Sequence, residues 1–355
     1  MNRKQIRTGI VKDEIYLAHR PVQGHPESHR RLDAVYQMLD NPEMRSQFVE
    51  ISSRPARREE LLWTHSPEHI ERIAATAGHP SQALTADTFT SADSYPAARM
   101  AAGGLFEAIT GVVDGIVDNA FVLARPPGHH AEKSRAMGFC LFNNVALGAA
   151  FARKALGLKR VLIVDWDVHH GNGVQHIFEQ DPSVFYFSIH QYPLFPGTGV
   201  FTETGRGPGE GYTINIPLSR GYGDGEYLLF FDKILWPVAQ MFRPELILVS
   251  AGFDTHRKDP IGGMRMTATG FAALTRSLME LAETCCHGRL VMTLEGGYHL
   301  EALKQSVKAV LREMADQTYT SPTGVLARAN LKKAGPAIFR SIKVNGLSWE
   351  NLKSA

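Results

Sequence analysis

The stretch Val161–Gly173, VLIVDWDVHHGNG, constrains this chain more than any other. An apolar run rich in β-branched residues ends in two acids and two histidines, followed by a glycine turn. The run is short for a helix and reads as a buried parallel strand. Polar groups that follow such a strand lie at the carboxyl edge of the sheet, where open α/β folds place their ligands. Asp167 and His169 are two residues apart. In extended chain, side chains at i and i+2 share a face, so a carboxylate and an imidazole can converge on one point. That pair suits a divalent transition metal. A lone D-x-H is more often a polar turn after a strand, and the weighing changes only with other segments.

Ala120–His130, AFVLARPPGHH, is a second strand followed by a Pro-Pro-Gly break and two adjacent histidines. Pro126 and Pro127 stop both helix and central strand, which leaves His129 and His130 on a loop past the strand end. Imidazole titrates near neutrality, so one of the pair can hold a proton while the other stays neutral. Leu246–Ala251, LILVSA, leads through Gly252 and Phe253 to Asp254, a third acid past an apolar strand. Leu290–Leu294, LVMTL, ends in Glu295-Gly296-Gly297-Tyr298, where two glycines allow tight backbone geometry that can aim the phenol. Singly, Asp254 could cap a helix and Tyr298 could sit at a rim. Jointly, four strands deliver His-His, Asp-x-His, Asp and Gly-Gly-Tyr to one edge.

In these motifs the chain resembles the histone deacetylase family of the arginase-deacetylase fold, and within it the class II-like bacterial amidohydrolases. The residues that carry the likeness are RPPGHHAE at Arg125–Glu132, GFCLFNN at Gly138–Asn144, DWDVHHGNG at Asp165–Gly173, FPGTG at Phe195–Gly199, AGFD at Ala251–Asp254 and EGGY at Glu295–Tyr298. GHPE at Gly24–Glu27, with Arg31 after it, adds a further match. The likeness runs from about residue 15 to about residue 315. It implies an α/β fold with a central, mostly parallel sheet flanked by helices and an active site at the carboxyl ends of the strands.

The resemblance implies zinc held by Asp167, His169 and Asp254. Three protein ligands leave a position open for water and substrate. Two carboxylates and one imidazole form a hard donor set, so Fe²⁺, Co²⁺ or Mn²⁺ are alternatives. By the same resemblance His130 acts as general base and then acid, and His129 as its electrostatic partner. Tyr298 would donate its hydroxyl to the oxyanion. The family pattern pairs His129 with Asp165 and His130 with Asn172. A carboxylate raises an imidazole's pKa whereas an amide adds no charge, so His129 should favour the protonated state and His130 the neutral one.

Gly138, Phe139 and Phe195 match a narrow apolar channel suited to the stem of an acyl-lysine. Outside those motifs, each phenylalanine would read as core packing. Asp87, in TADTF, matches a rim residue that binds substrate backbone. Ile261, in DPIGGM, stands where polyamine-selective relatives can carry an acid. The family's structural potassium would involve Asp165, Asp167, His169, Ser188 and Ile189, and a second such site Phe178, Asp181, Val184 and Tyr212. The implied activity is removal of acyl groups from acyl-lysine. Two alternatives are an amidohydrolase of acetylpolyamines or other small acyl amides, and a catalytically silent module that binds acyl-lysine.

The rest of the chain agrees. Across 355 residues, strands and helices alternate with no linker-like break between about 15 and 315. One domain over 1–355 is expected, with 316–355 an extension of unknown role. Helices are expected at Glu27–Leu39, Asn144–Leu156, Gly225–Met241 and Thr269–Thr284. The Gly-, Pro- and Thr-rich excursion 190–225 is expected to be a long functional loop. A net charge of +2 with interspersed signs gives nucleic acid no basic stripe to bind. The clusters Arg54–Arg58 and Lys332–Lys333 read as solvated faces. No run reaches the length of a membrane span, and the start has no apolar leader. Cys140, Cys285 and Cys286 are too few for a disulfide framework and suit a reducing cytosol, which points to a cytoplasmic protein. A homo-oligomer is possible.

Overall fold

The computed structural model describes residues 6–346. Among the described residues there are ten strands: β1 (Thr8–Val11), β2 (Phe48–Glu50), β3 (Gln82–Ala83), β4 (Phe89–Thr90), β5 (Asn119–Val122), β6 (Val161–Asp165), β7 (Val184–Gln191), β8 (Thr213–Leu218), β9 (Leu246–Ala251) and β10 (Leu290–Leu294). Eight of them form one sheet in the order β2-β1-β5-β10-β9-β6-β7-β8. Every pairing within it is parallel. β3 and β4 make a small antiparallel ribbon beside it.

The central strands are buried along their whole length, as expected where helices cover both faces of a parallel sheet. Helix Ser94–Val113 packs against β1, β5 and β10, and Asn144–Lys154 against β6 and β9. Across the sheet, Ala268–Cys286 packs on β9 and β10 and against Leu300–Met314. No described helix is long and apolar enough to cross a membrane.

Three expectations need correction. The helix expected from Glu27 starts at Arg30, because the Glu27 carboxylate is drawn into the interior by Arg31 and Arg125. The helix expected over 225–241 is interrupted by a π turn, Phe231–Leu235, ahead of Trp236–Phe242. Pro237 lies in that last piece and cannot donate to the preceding turn. The excursion 190–225 is not loop throughout. It contains β8, an edge strand that continues the sheet beside β7.

The described residues past 315 also pack on the fold. Helix Leu331–Val344 buries Ala334, Ile338, Ser341 and Ile342 and packs on β8. Lys333 is not simply solvated: its Nζ donates to the Gly221 carbonyl, and its own carbonyl accepts from Tyr222 Oη.

Candidate active and metal site

β5, β10, β9 and β6 are consecutive in the sheet, and the segments past their carboxyl ends meet. A cavity of about 180 Å³ is lined by His129, His130, His169 and Tyr298, with Gly138, Phe139, Phe195, Ile261 and Asp87. All the residues assigned from sequence to base, oxyanion donor, channel and rim therefore border one space. Phe195 is 41% exposed, which removes core packing as its reading. Phe139 sits at φ 69°, a conformation uncommon for a bulky residue, and its ring meets Tyr298 edge-on at 6.0 Å.

Asp167, His169 and Asp254 are buried and each offers a donor atom within 4.8 Å of the others. His169 Nδ1 is 3.0 Å from Asp167 Oδ1 and 3.2 Å from Asp254 Oδ2. The other carboxylate oxygens are held by backbone: Asp167 Oδ2 accepts from Gly296 N–H at 2.8 Å, and Asp254 Oδ1 from Val168 N–H at 2.8 Å. Asp254 Oδ2 is buried and accepts no hydrogen bond. A buried carboxylate oxygen left so is expensive unless it faces a cation. Burial, then the Asp167 charge, raise Asp254 to about 7. This donor set fits a divalent metal ion, which would relieve both costs. Gly296 lets the backbone approach: a Cβ there would lie 2.1 Å from Asp254 Oδ2.

The two histidines differ in what fixes them. His129 Nδ1 donates to Asp165 Oδ2 at 3.0 Å, and Tyr186 Oη donates to the same oxygen. Burial disfavours charge on His129, but the Asp165 and Asp167 carboxylates outweigh it and raise the imidazole to about 10. His130 Nδ1 donates to Asn172 Oδ1 at 2.8 Å. Burial, followed by the neighbouring His129 and His169, pushes His130 well below its ordinary value. The carboxylates thus favour the protonated form of His129 and burial the neutral form of His130, with ring centres 4.0 Å apart.

Tyr298 follows Gly297, whose φ of +118° is open to glycine alone among common residues. Desolvation, with Asp254 nearby, pushes its phenol well above its usual value, so it is a donor. Three residues that hold this region were not singled out as site residues from sequence. Asp259 accepts from Tyr298 N–H at 2.6 Å and His299 N–H at 3.3 Å through one oxygen, and from Ile261 N–H at 3.0 Å through the other. It ties the tyrosine turn to the channel wall. Glu295 Oε2 accepts from Gly128 N–H at 2.7 Å and His129 N–H at 3.2 Å. Arg31 donates to the carbonyls of Gly297 and Glu295 and lies over the Tyr298 ring at 5.0 Å. Glu295 and Arg31 stood within or beside the matched motifs; Asp259 had only its place before a proline.

The remaining candidates are more dispersed. Asp87 Oδ2 accepts from Gly138 N–H at 3.2 Å, and Thr85 and Thr88 hydroxyls bond its other oxygen. Ser188 pairs with Asp165 across β6 and β7, with Ile189 next to it. Phe178 ends helix Asn172–Phe178, Val184 opens β7 and Asp181 lies between them, while Tyr212 just precedes β8. Cys140 is buried, and burial raises its thiol well above the ordinary range.

Residues 25–314 match the Histone deacetylase domain. Histone deacetylase 15 of Arabidopsis thaliana is 41% identical over 314 residues, covering 86% of this chain and 56% of that protein. The Polyamine deacetylase HDAC10 of Homo sapiens is 41% identical over 316 residues, covering 84% of this chain and 47% of that protein. The chain thus spans about half the length of these curated relatives. The crystal structure of the HDA15 HD domain superimposes with a TM-score of 0.89 at 37% identity, over 98% of this chain and 97% of that one. A domain match over most of the sequence, the identity to Histone deacetylase 15 and the shared parallel-sheet fold lead to one statement: this chain belongs to the histone deacetylase family.

Proposed function

We propose that the chain is a metal-dependent deacetylase that hydrolyses the side-chain amide of acyl-lysine in proteins or peptides. The carrying observation is a single cavity bordered by His169, two histidines with opposite charge preferences and a phenol. Zinc held by Asp167, His169 and Asp254 would supply Lewis acidity toward the acyl oxygen and water; Fe²⁺, Co²⁺ or Mn²⁺ suit the same donors. Phe139 and Phe195 would flank the apolar stem and exclude water from it. His130, neutral with Nδ1–H tied to Asn172, presents Nε2 to accept the proton of the attacking water and return it to the leaving amine. His129, held by Asp165 and favouring its protonated form, would offset the negative charge that develops on the tetrahedral intermediate. Tyr298 donates its hydroxyl to the acyl oxygen as that oxygen becomes an anion. Asp87 would bind substrate backbone at the rim.

The proposal extends to structural potassium at Asp165, Asp167, His169, Ser188 and Ile189, and at Phe178, Asp181, Val184 and Tyr212. Asp181 accepts from Arg153 and Ser183 through its side chain and from Val184 N–H through its carbonyl.

Ile261 favours acyl-lysine over a polyamine, since it puts no charge in the cavity wall to attract a second ammonium. The test is a panel of acetyl-lysine peptides, acetylputrescine and acetylspermidine, assayed on zinc-loaded protein. Higher kcat/KM on the acetylpolyamines would move the substrate assignment to the polyamine reading. Zero turnover on all of them at full metal occupancy would leave an acyl-lysine-binding module.

A further inference from the structure

We propose that Glu132 is a positioning residue for the base: its carboxylate orients the Asn172 side-chain amide and thereby sets the tautomer of His130. The consequence for catalysis rests on the hydrolase reading above; the tautomer itself does not. A primary amide can face an imidazole in two ways, related by a half-turn. With Oδ1 toward His130, the ring carries its proton on Nδ1 and leaves the Nε2 lone pair for the cavity. With Nδ2 toward His130, the ring must accept at Nδ1 and carry its proton on Nε2, and no base faces the substrate. Asn172 alone does not choose between these. Glu132 Oε1 does, because a carboxylate only accepts, and it lies 2.5 Å from Asn172 Nδ2. The His130 carbonyl, a second acceptor near the same nitrogen, is farther away at 3.3 Å.

Glu132 is itself held independently of His130. Its backbone N–H donates to the Arg135 carbonyl at 2.9 Å. Its carbonyl accepts from His65 Nδ1 at 3.0 Å. His65 must donate there, because its Nε2 accepts from Asn143 N–H at 2.9 Å. The Glu132 side chain is 16% exposed, and Oε1 also accepts from His176 Nδ1 at 2.8 Å. A hydrogen-bonded chain thus runs from the partly exposed His176 through Glu132 and Asn172 to His130. It contrasts with His129, which Asp165 touches directly. At His130 an amide stands between carboxylate and imidazole, so orientation is transmitted and the charge is held one group away.

The test compares Glu132→Leu with Glu132→Gln in zinc-loaded protein. Leucine removes the acceptor, whereas the glutamine carbonyl oxygen can still accept from Asn172 and His176. In wild type, the ¹⁵N spectrum of His130 should show a protonated Nδ1 and an unprotonated Nε2. Glu132→Leu should mix the tautomers and lower kcat about 10- to 100-fold with KM and zinc content unchanged. Glu132→Gln should restore both spectrum and kcat to near wild type. A wild-type spectrum with the proton on Nε2 would overturn the proposal, and it decides the matter even if the leucine variant does not fold. So would Glu132→Leu with an unchanged tautomer and rate, or Glu132→Gln as impaired as Glu132→Leu, since charge rather than orientation would then be at work. Wild-type protein that hydrolyses nothing would remove the deacetylase reading while the spectrum still judges Glu132.

Discussion

At the carboxyl edge of β5, β10, β9 and β6, the buried side chains include the acids Asp165, Asp167, Asp254 and Glu295 and the histidines His129, His130 and His169. On the flank where Leu331–Val344 covers β8, the buried side chains are mostly apolar: Ala334, Ile338 and Ile342. The first region collects charge in low dielectric, at a cost in stability that a bound metal would offset. The second gains stability by removing apolar surface from water. Chemistry and stability are therefore separable here by substitution, and the sharpest tests are those that move one and spare the other.

The largest effect is expected at the metal donors. His169→Ala or Asp254→Ala should lose both bound metal and hydrolysis; a variant with stoichiometric metal by elemental analysis and full activity takes that residue out of the donor set. His130→Ala comes next, with a kcat loss of about a hundred- to ten-thousandfold and metal retained. His129→Ala should cost less, and an equal or larger loss would reverse the roles of the two rings. Tyr298→Phe should lower kcat about a hundred- to a thousandfold with substrate affinity little changed. A near wild-type rate would mean that the phenol does not serve the acyl oxygen. Asp259→Ala frees the tyrosine turn without touching the cavity donors, and about a tenfold drop in kcat at constant metal content is expected. On the flank, Ile338→Ala should destabilise the fold by about 2 kcal/mol and leave kcat/KM unchanged in protein assayed well below its melting temperature. A matching loss of activity there would break the comparison.

How much of this was legible follows the same division. Val161–Gly173 could be read directly, because a buried parallel strand writes a continuous apolar run and its site residues follow within a few positions. The same holds for Asp254 and Tyr298. β8 was hidden because TINIPL follows a Gly- and Pro-rich stretch that argues for loop. β1 and β2 are four and three residues long, too short for a period to register. Helix 30–39 begins late because of the buried Glu27–Arg125 pair, whose partners are far apart in sequence. Asp259 was missed for a related reason: its partners are backbone N–H groups, which no side-chain pattern reports. The candidate base, oxyanion donor and metal donors stand out by residue type, and Asp165 and Asn172 came with the same motifs, whereas Asp259 shows its part only in three dimensions.

The order β5-β10-β9-β6 has a consequence for how the protein is made. β10 is the last strand of the sheet to leave the ribosome, yet its place is between β5 and β9. Until Leu290–Leu294 emerges, the sheet has a gap at its centre and two unpaired inner edges, the kind of exposed template that invites wrong pairing. Asp167 accepts from Gly296, just past that strand, so one of the candidate metal carboxylates waits for it. Nascent chains halted before β10 should therefore be the species most dependent on chaperones and least able to retain metal.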